Sequence, residues 1–129
     1  MKIDHIAIRA QNLEKLKEFY SRYFGMTPGE KYTNPAKGFS SYFLSTPDRG
    51  ARIELISERG PERENGDRDR LYGIAHIAIS VGSKTAVDDL TQKLKSGNFN
   101  IVSEPRTTGD GYYESVVLDP EGNRIEITA

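Results

Sequence analysis

The tetrapeptide His-Ile-Ala-Ile stands at His5 to Ile8 and again at His76 to Ile79, 71 residues further on, and the chain has no other histidine. A second echo follows it: Arg-Ile-Glu-Leu-Ile at Arg52 to Ile56 is matched by Arg-Ile-Glu-Ile-Thr at Arg124 to Thr128, an offset of 72. Each half therefore opens near a histidine and closes near a glutamate, 49 residues apart in the first half and 50 in the second. A sequence that repeats itself in order and spacing is expected to fold as two copies of one supersecondary unit.

Between these marks the halves share a plan of strand, helix and further strands. Asn12 is a suitable N-cap for a helix presenting Leu13, Leu16, Tyr20, Tyr23 and Phe24 before Gly25 stops it. Ser83 caps a second helix, expected to be the shorter, whose Val87, Leu90 and Leu94 share a face and which Gly97 ends. Strand-like runs follow at Ser41 to Ser45 and Ala51 to Ser57, then at Asn100 to Glu104, Tyr112 to Leu118 and Arg124 to Thr128. The turn Asp119-Pro120-Glu121-Gly122-Asn123 joins the last two. Within one domain spanning 1–129, the expected organisation is a unit at 1–57, a charged linker at 58–72 and a second unit at 73–129. The linker, rich in charge and broken by Pro and Gly, reads as a solvated connector, with a lid as the alternative.

Charge narrows the partners. With 18 Lys and Arg against 19 Asp and Glu, no global field exists to hold a nucleic acid or an anionic membrane. No apolar run approaches the roughly 18 residues of a membrane span, and no signal-peptide core is evident, so a cytoplasmic protein is expected. The absence of Cys removes disulfides, thiolate ligands and a cysteine nucleophile, leaving nitrogen and oxygen groups for any metal chemistry.

Strand alternation then sorts the side chains. His5, Ala7 and Arg9 face away from Ile6 and Ile8, and His76, Ala78 and Ser80 face away from Ile77 and Ile79. Glu54 and Glu126 likewise oppose the aliphatic rows that can pack on helices. A single histidine on such a strand is commonly a hydrogen-bonded residue. Each glutamate also has an arginine two residues before it, Arg52 or Arg124, so an Arg–Glu pair is the competing reading. Two His and two Glu placed equivalently by duplication favour metal binding, because they form the nitrogen and oxygen set of divalent first-row metals. The expectation is one site at which His5, Glu54, His76 and Glu126 surround a common point.

These motifs resemble the vicinal oxygen chelate superfamily, which includes glyoxalase I, methylmalonyl-CoA epimerase, extradiol dioxygenases and fosfomycin- and bleomycin-resistance proteins. The resemblance spans the chain through His5-Ile-Ala-Ile-Arg9, Tyr23-Phe-Gly-Met26, Ile53-Glu54-Leu55, Gly73 to Ala78 and the Asp119 turn before Ile125-Glu126. It implies an α+β fold of two tandem βαβββ modules, forming a cupped mixed sheet with helices outside. It also implies a metal with two coordination positions open to vicinal oxygens of a substrate.

Within that superfamily the His/Glu/His/Glu set looks like glyoxalase I and related lyases. The epimerases generally have Gln where this chain has Glu54. The implied reaction is proton transfer through an enediolate, with Glu126 as general base and Glu54 as a ligand that also serves the opposite face. Nickel, cobalt, zinc, iron and manganese all suit the set. Arg9 matches a position that meets a glutathione carboxylate in glyoxalases, whereas Glu58 stands where those enzymes have Asn, and its charge disfavours an anionic tripeptide. Tyr112 and Tyr113 alternate faces, so one is expected to reach a small-molecule substrate while the other packs. The resemblance further implies a homodimer. The alternatives are a binding or antibiotic-resistance protein without catalysis, and a metal-dependent dioxygenase.

Overall fold

The computed structural model describes residues 3–58 and 73–129, and the chain divides into two compact units, Met1–Arg63 and Glu64–Ala129. Nearly all of the expected linker, with its alternative role as a lid, lies outside the described residues.

The first unit runs β1 (His5–Arg9), α1 (Leu13–Phe24), β2 (Thr27–Pro28), β3 (Tyr32–Asn34), a short 3-10 turn, β4 (Phe39–Ser45) and β5 (Arg52–Ser57). The second runs β6 (Ile77–Ser80), α2 (Lys84–Ser96), β7 (Ile101–Thr107), β8 (Tyr113–Leu118) and β9 (Arg124–Thr128). The fold class is α+β, as expected, with one mixed sheet in each unit. The strand orders are equivalent: β1-β5-β4-β2, with β3 also on β4, and β6-β9-β8-β7. Both short strands pair antiparallel with β4, and the register slips by one between them, so they form one strand interrupted at Gly29–Lys31. Counted this way, each unit is the expected βαβββ module.

In each module the first strand lies parallel to the last, β1 on β5 and β6 on β9. Both ladders end alike, with Ala10 donating its N–H to the Ile56 carbonyl at 2.7 Å and Val81 to that of Thr128 at 2.8 Å.

The helices form for legible reasons. Asn12 caps α1 by accepting from the Lys15 N–H, and Ser83 caps α2 by accepting from that of Ala86. Leu13, Leu16, Phe19, Tyr20 and Phe24 are buried along one stripe of α1, while Val87, Thr91 and Leu94 are the buried residues of α2. Each stripe covers the aliphatic face of its own sheet, including Leu44, Ile53 and Leu55 in one unit and Val117, Ile125 and Ile127 in the other.

One expectation about the helices needs correction. α2 is not the shorter: it has 13 residues against 12, and that added residue moves the repeat offset from 71 at the caps to 72 at the glycines. Gly25 and Gly97 end their helices as expected, Gly25 in the left-handed conformation at φ 63° and Gly97 at φ −83°, where Asn98 supplies the left-handed residue at φ 60°. Asn tolerates that region, and the Phe99 and Asn98 N–H groups close the helix onto the carbonyls of Leu94 and Lys95.

Candidate functional site

On the sheet face opposite each helix, the structure sets one imidazole beside one carboxylate. In the first unit, Ala7 of β1 pairs with Glu54 of β5, which brings the side chain of His5, on the same face, toward that of Glu54. His5 Nε2 lies 3.8 Å from Glu54 Oε2. In the second, Ala78 pairs with Glu126, and His76, immediately before β6, holds Nε2 at 3.2 Å from Glu126 Oε2. The small side chains of Ala7 and Ala78 leave each pair uncovered from the strand alongside. The histidines are the more open partners, at 39% and 44% side-chain exposure, and the glutamates the more enclosed, at 15% and 20%.

A carboxylate so far withdrawn from water costs several kcal/mol unless a cation or strong donors compensate it. The competing Arg–Glu reading fails at its first test in the first unit, because Arg52 Nη2 reaches Asp4 Oδ2 at 2.6 Å. Asp4 also accepts from His5 Nδ1 at 2.9 Å. The His5 hydrogen bond, and then Arg52, hold the Asp4 carboxyl at about 2, below its usual 3.8.

The donor chemistry and spacing fit a divalent metal. Two donors each about 2.1 Å from one ion stand roughly 3.0 to 3.8 Å apart as the angle between them opens from about 90° to about 130°. Both pairs fall in that range. Among the described residues no three His, Asp or Glu side chains gather closely enough to hold an ion, so each unit presents a pair.

The expected substrate contacts separate. Arg9, on the same face as His5, donates from Nε to Glu58 Oε1 at 2.6 Å. The residue expected to meet a carboxylate and the residue expected to repel one thus engage each other. Tyr113 belongs to the helix side: its hydroxyl donates to Asp88 of α2 at 2.7 Å, which pushes its ionisation upward. Tyr112 is exposed.

Two groups near the sites escaped the sequence reading. Phe43 pairs opposite Glu54, meets the His5 ring edge-on at 5.2 Å and carries the Arg52 guanidinium 4.5 Å above its ring. In the second unit, Glu114 lies on the same sheet face as Glu126, two residues beyond its partner Val116, with Arg106 at 3.8 Å. Neither echoes anything in the other half, so the repeat gave no signal for them.

Comparison with known proteins supplies a context for this geometry. Residues 2–127 match the family described as the Glyoxalase/Bleomycin resistance protein/Dioxygenase superfamily. A probable lactoylglutathione lyase of Vibrio cholerae is 32% identical over 130 residues, covering 98% of this chain and 88% of that protein. A lactoylglutathione lyase of Arabidopsis thaliana is 29% identical over 134 residues, but the chain spans only 42% of its length. Among solved structures, glyoxalase I from Zea mays superposes with a TM-score of 0.80 at 24% identity, with 98% of this chain and 44% of that one covered.

Proposed function

This chain belongs to the Glyoxalase/Bleomycin resistance protein/Dioxygenase superfamily, and from that premise we propose that it is a metal-dependent lyase or isomerase of glyoxalase type. It would move a proton between adjacent carbons of a small hydroxycarbonyl or hemithioacetal substrate. The observation carrying this reading is the pairing of one imidazole with one enclosed carboxylate on the sheet face opposite the helix of each unit, His5 with Glu54 and His76 with Glu126. Lactoylglutathione lyases among the relatives support it.

In this reading His5, Glu54, His76 and Glu126 together hold one divalent ion. That ion, when bound, supplies Lewis acidity toward two vicinal substrate oxygens. Glu126 takes the carbon-bound proton at a carboxylate oxygen and returns it to the neighbouring carbon, and Glu54 serves the opposite face. Tyr112 contacts the substrate. The Arg9–Glu58 ion pair favours a thiol adduct other than that of glutathione, because an incoming carboxylate must first displace Glu58. The protein acts in the cytoplasm as a homodimer.

Elemental analysis of the purified protein, followed by hemithioacetal isomerisation with nickel, cobalt, zinc, iron or manganese restored, tests the proposal. Metal-dependent turnover of a methylglyoxal–thiol adduct supports it. Retained metal without turnover of any thiol adduct overturns the reaction, and failure to bind any of the five metals returns the chain to a binding role. Oxygen consumption would identify a dioxygenase instead.

A further inference from the structure

His5 and His76 are equivalent in sequence and unequal in surroundings. Asp4 Oδ2 accepts from His5 Nδ1 at 2.9 Å and from Arg52 Nη2 at 2.6 Å. The Arg52 backbone N–H donates to the Asp4 carbonyl at 2.9 Å, so both ends of Asp4 are fixed by one residue of β5. Arg52 in turn lies 4.5 Å over the Phe43 ring, whose centroid is 5.2 Å from that of His5. In the second unit, Ala75 stands where Asp4 stands in the first, and Val116 occupies the place opposite Glu126 that Phe43 holds opposite Glu54. Neither can hold the His76 ring in this way.

We propose that Asp4 is a positioning residue, fixing His5 with its proton on Nδ1 and its Nε2 lone pair turned toward Glu54, so that the first unit carries the preorganised half of the ligand set. An ionised carboxylate can only accept, so the Nδ1 in contact with it must donate. The neutral imidazole then has one unprotonated nitrogen, Nε2, the atom that lies 3.8 Å from Glu54. A carboxylate on the far side of a ligating imidazole fixes its tautomer and orientation and strengthens it as a donor. Arg52 keeps Asp4 from turning away into water, and Phe43 limits rotation of the His5 ring.

The inference rests on the metal-site reading, and its test separates the two. Long-range ¹H–¹⁵N spectra of the metal-free protein read the tautomer directly. The wild type should show His5 with Nδ1 protonated, whereas Asp4→Ala should shift it toward a mixture and leave His76 unchanged. Chelator competition with zinc and nickel should then show binding weakened about ten- to a hundredfold in Asp4→Ala and less in Asp4→Asn, which keeps an acceptor oxygen at the same place. If Asp4→Ala fails to fold, the isosteric Asp4→Asn carries both measurements against the wild type. An unchanged His5 tautomer together with unchanged affinity overturns the positioning role. A tautomer that shifts in a protein that binds neither metal sustains the role of Asp4 and overturns the metal site instead.

Discussion

Where α1 buries Tyr20, α2 buries Thr91, 71 residues later and at the same distance from its N-cap. The first unit fills the space between helix and sheet with rings, Phe19 lying 5.2 Å from Tyr20 and 5.7 Å from Phe24. The second fills it with aliphatic side chains and a buried hydroxyl pair, Thr91 to Ser115 at 2.7 Å, with Thr91 also donating to the Val87 carbonyl. The faces opposite the helices diverge as well, since His5 is braced by Asp4, Arg52 and Phe43 while His76 faces Glu126 without the equivalent carboxylate. The strand order, the side-chain N-caps and the His–Glu pairs are common to both units. A module needs an apolar stripe of suitable volume more than particular residues inside it, so cores drift while registers persist.

The largest effects should come from breaking the equivalence of the two carboxylates. Glu126→Gln should lower turnover by about 10² to 10⁴ as the loss of a general base, with Glu54→Gln costing mainly metal affinity. Equal losses in turnover and in affinity would show that the halves act symmetrically. In the cores, Tyr20→Ala should destabilise the protein by about 3 to 5 kcal/mol in urea unfolding. Thr91→Val should cost about 1 to 3 kcal/mol by stranding the Ser115 hydroxyl, and adding Ser115→Ala should recover much of that loss. Failure of the double variant to recover would mean the hydroxyl pair is not what the second core depends on.

The helix ends offer a finer contrast. Gly25→Ala should cost about 1 to 2 kcal/mol, because φ is 63° there and the nearest atom to an added Cβ is an unobstructive 3.7 Å away. Gly97→Ala, at φ −83°, should cost much less, and thermal unfolding of the two variants compares them directly.

The smallest effect concerns Glu14, whose carboxyl is held at about 2 by Lys17, Lys31 and the Tyr42 hydroxyl, against an ordinary value of 4.5. The folded value is depressed, so this stabilisation is present above pH 4.5 and is lost as the pH falls toward 2. The group is exposed, which limits it to under about 1 kcal/mol. Urea midpoints of the wild type and Glu14→Gln should therefore differ slightly at pH 6 and converge near pH 2.

Much of the architecture was legible because it is local. Asn12, Ser83 and the glycine stops act within a turn of their helices, and Arg124 to Thr128 emerged with the bounds its alternation implied. The interrupted strand β2–β3 gave little signal, since its two pieces are short and owe their conformation to pairing with β4. Phe19 was missed on α1, and Leu90 proved only half-buried on α2, because the width of an apolar stripe depends on the sheet beneath it.

By itself, the sequence determined the duplication, the plan of strand, helix and further strands in each half, and the separation of His5, Glu54, His76 and Glu126 from the aliphatic rows, all consequences of periods carried by the backbone. Only the tertiary structure decided that Arg52 turns to Asp4 rather than Glu54, that Arg9 engages Glu58, and that Tyr113 bonds to α2 while Tyr112 stays exposed. Those choices depend on which strands become neighbours and in what register, and charged side chains of similar reach settle on the partner that this register brings within hydrogen-bond distance.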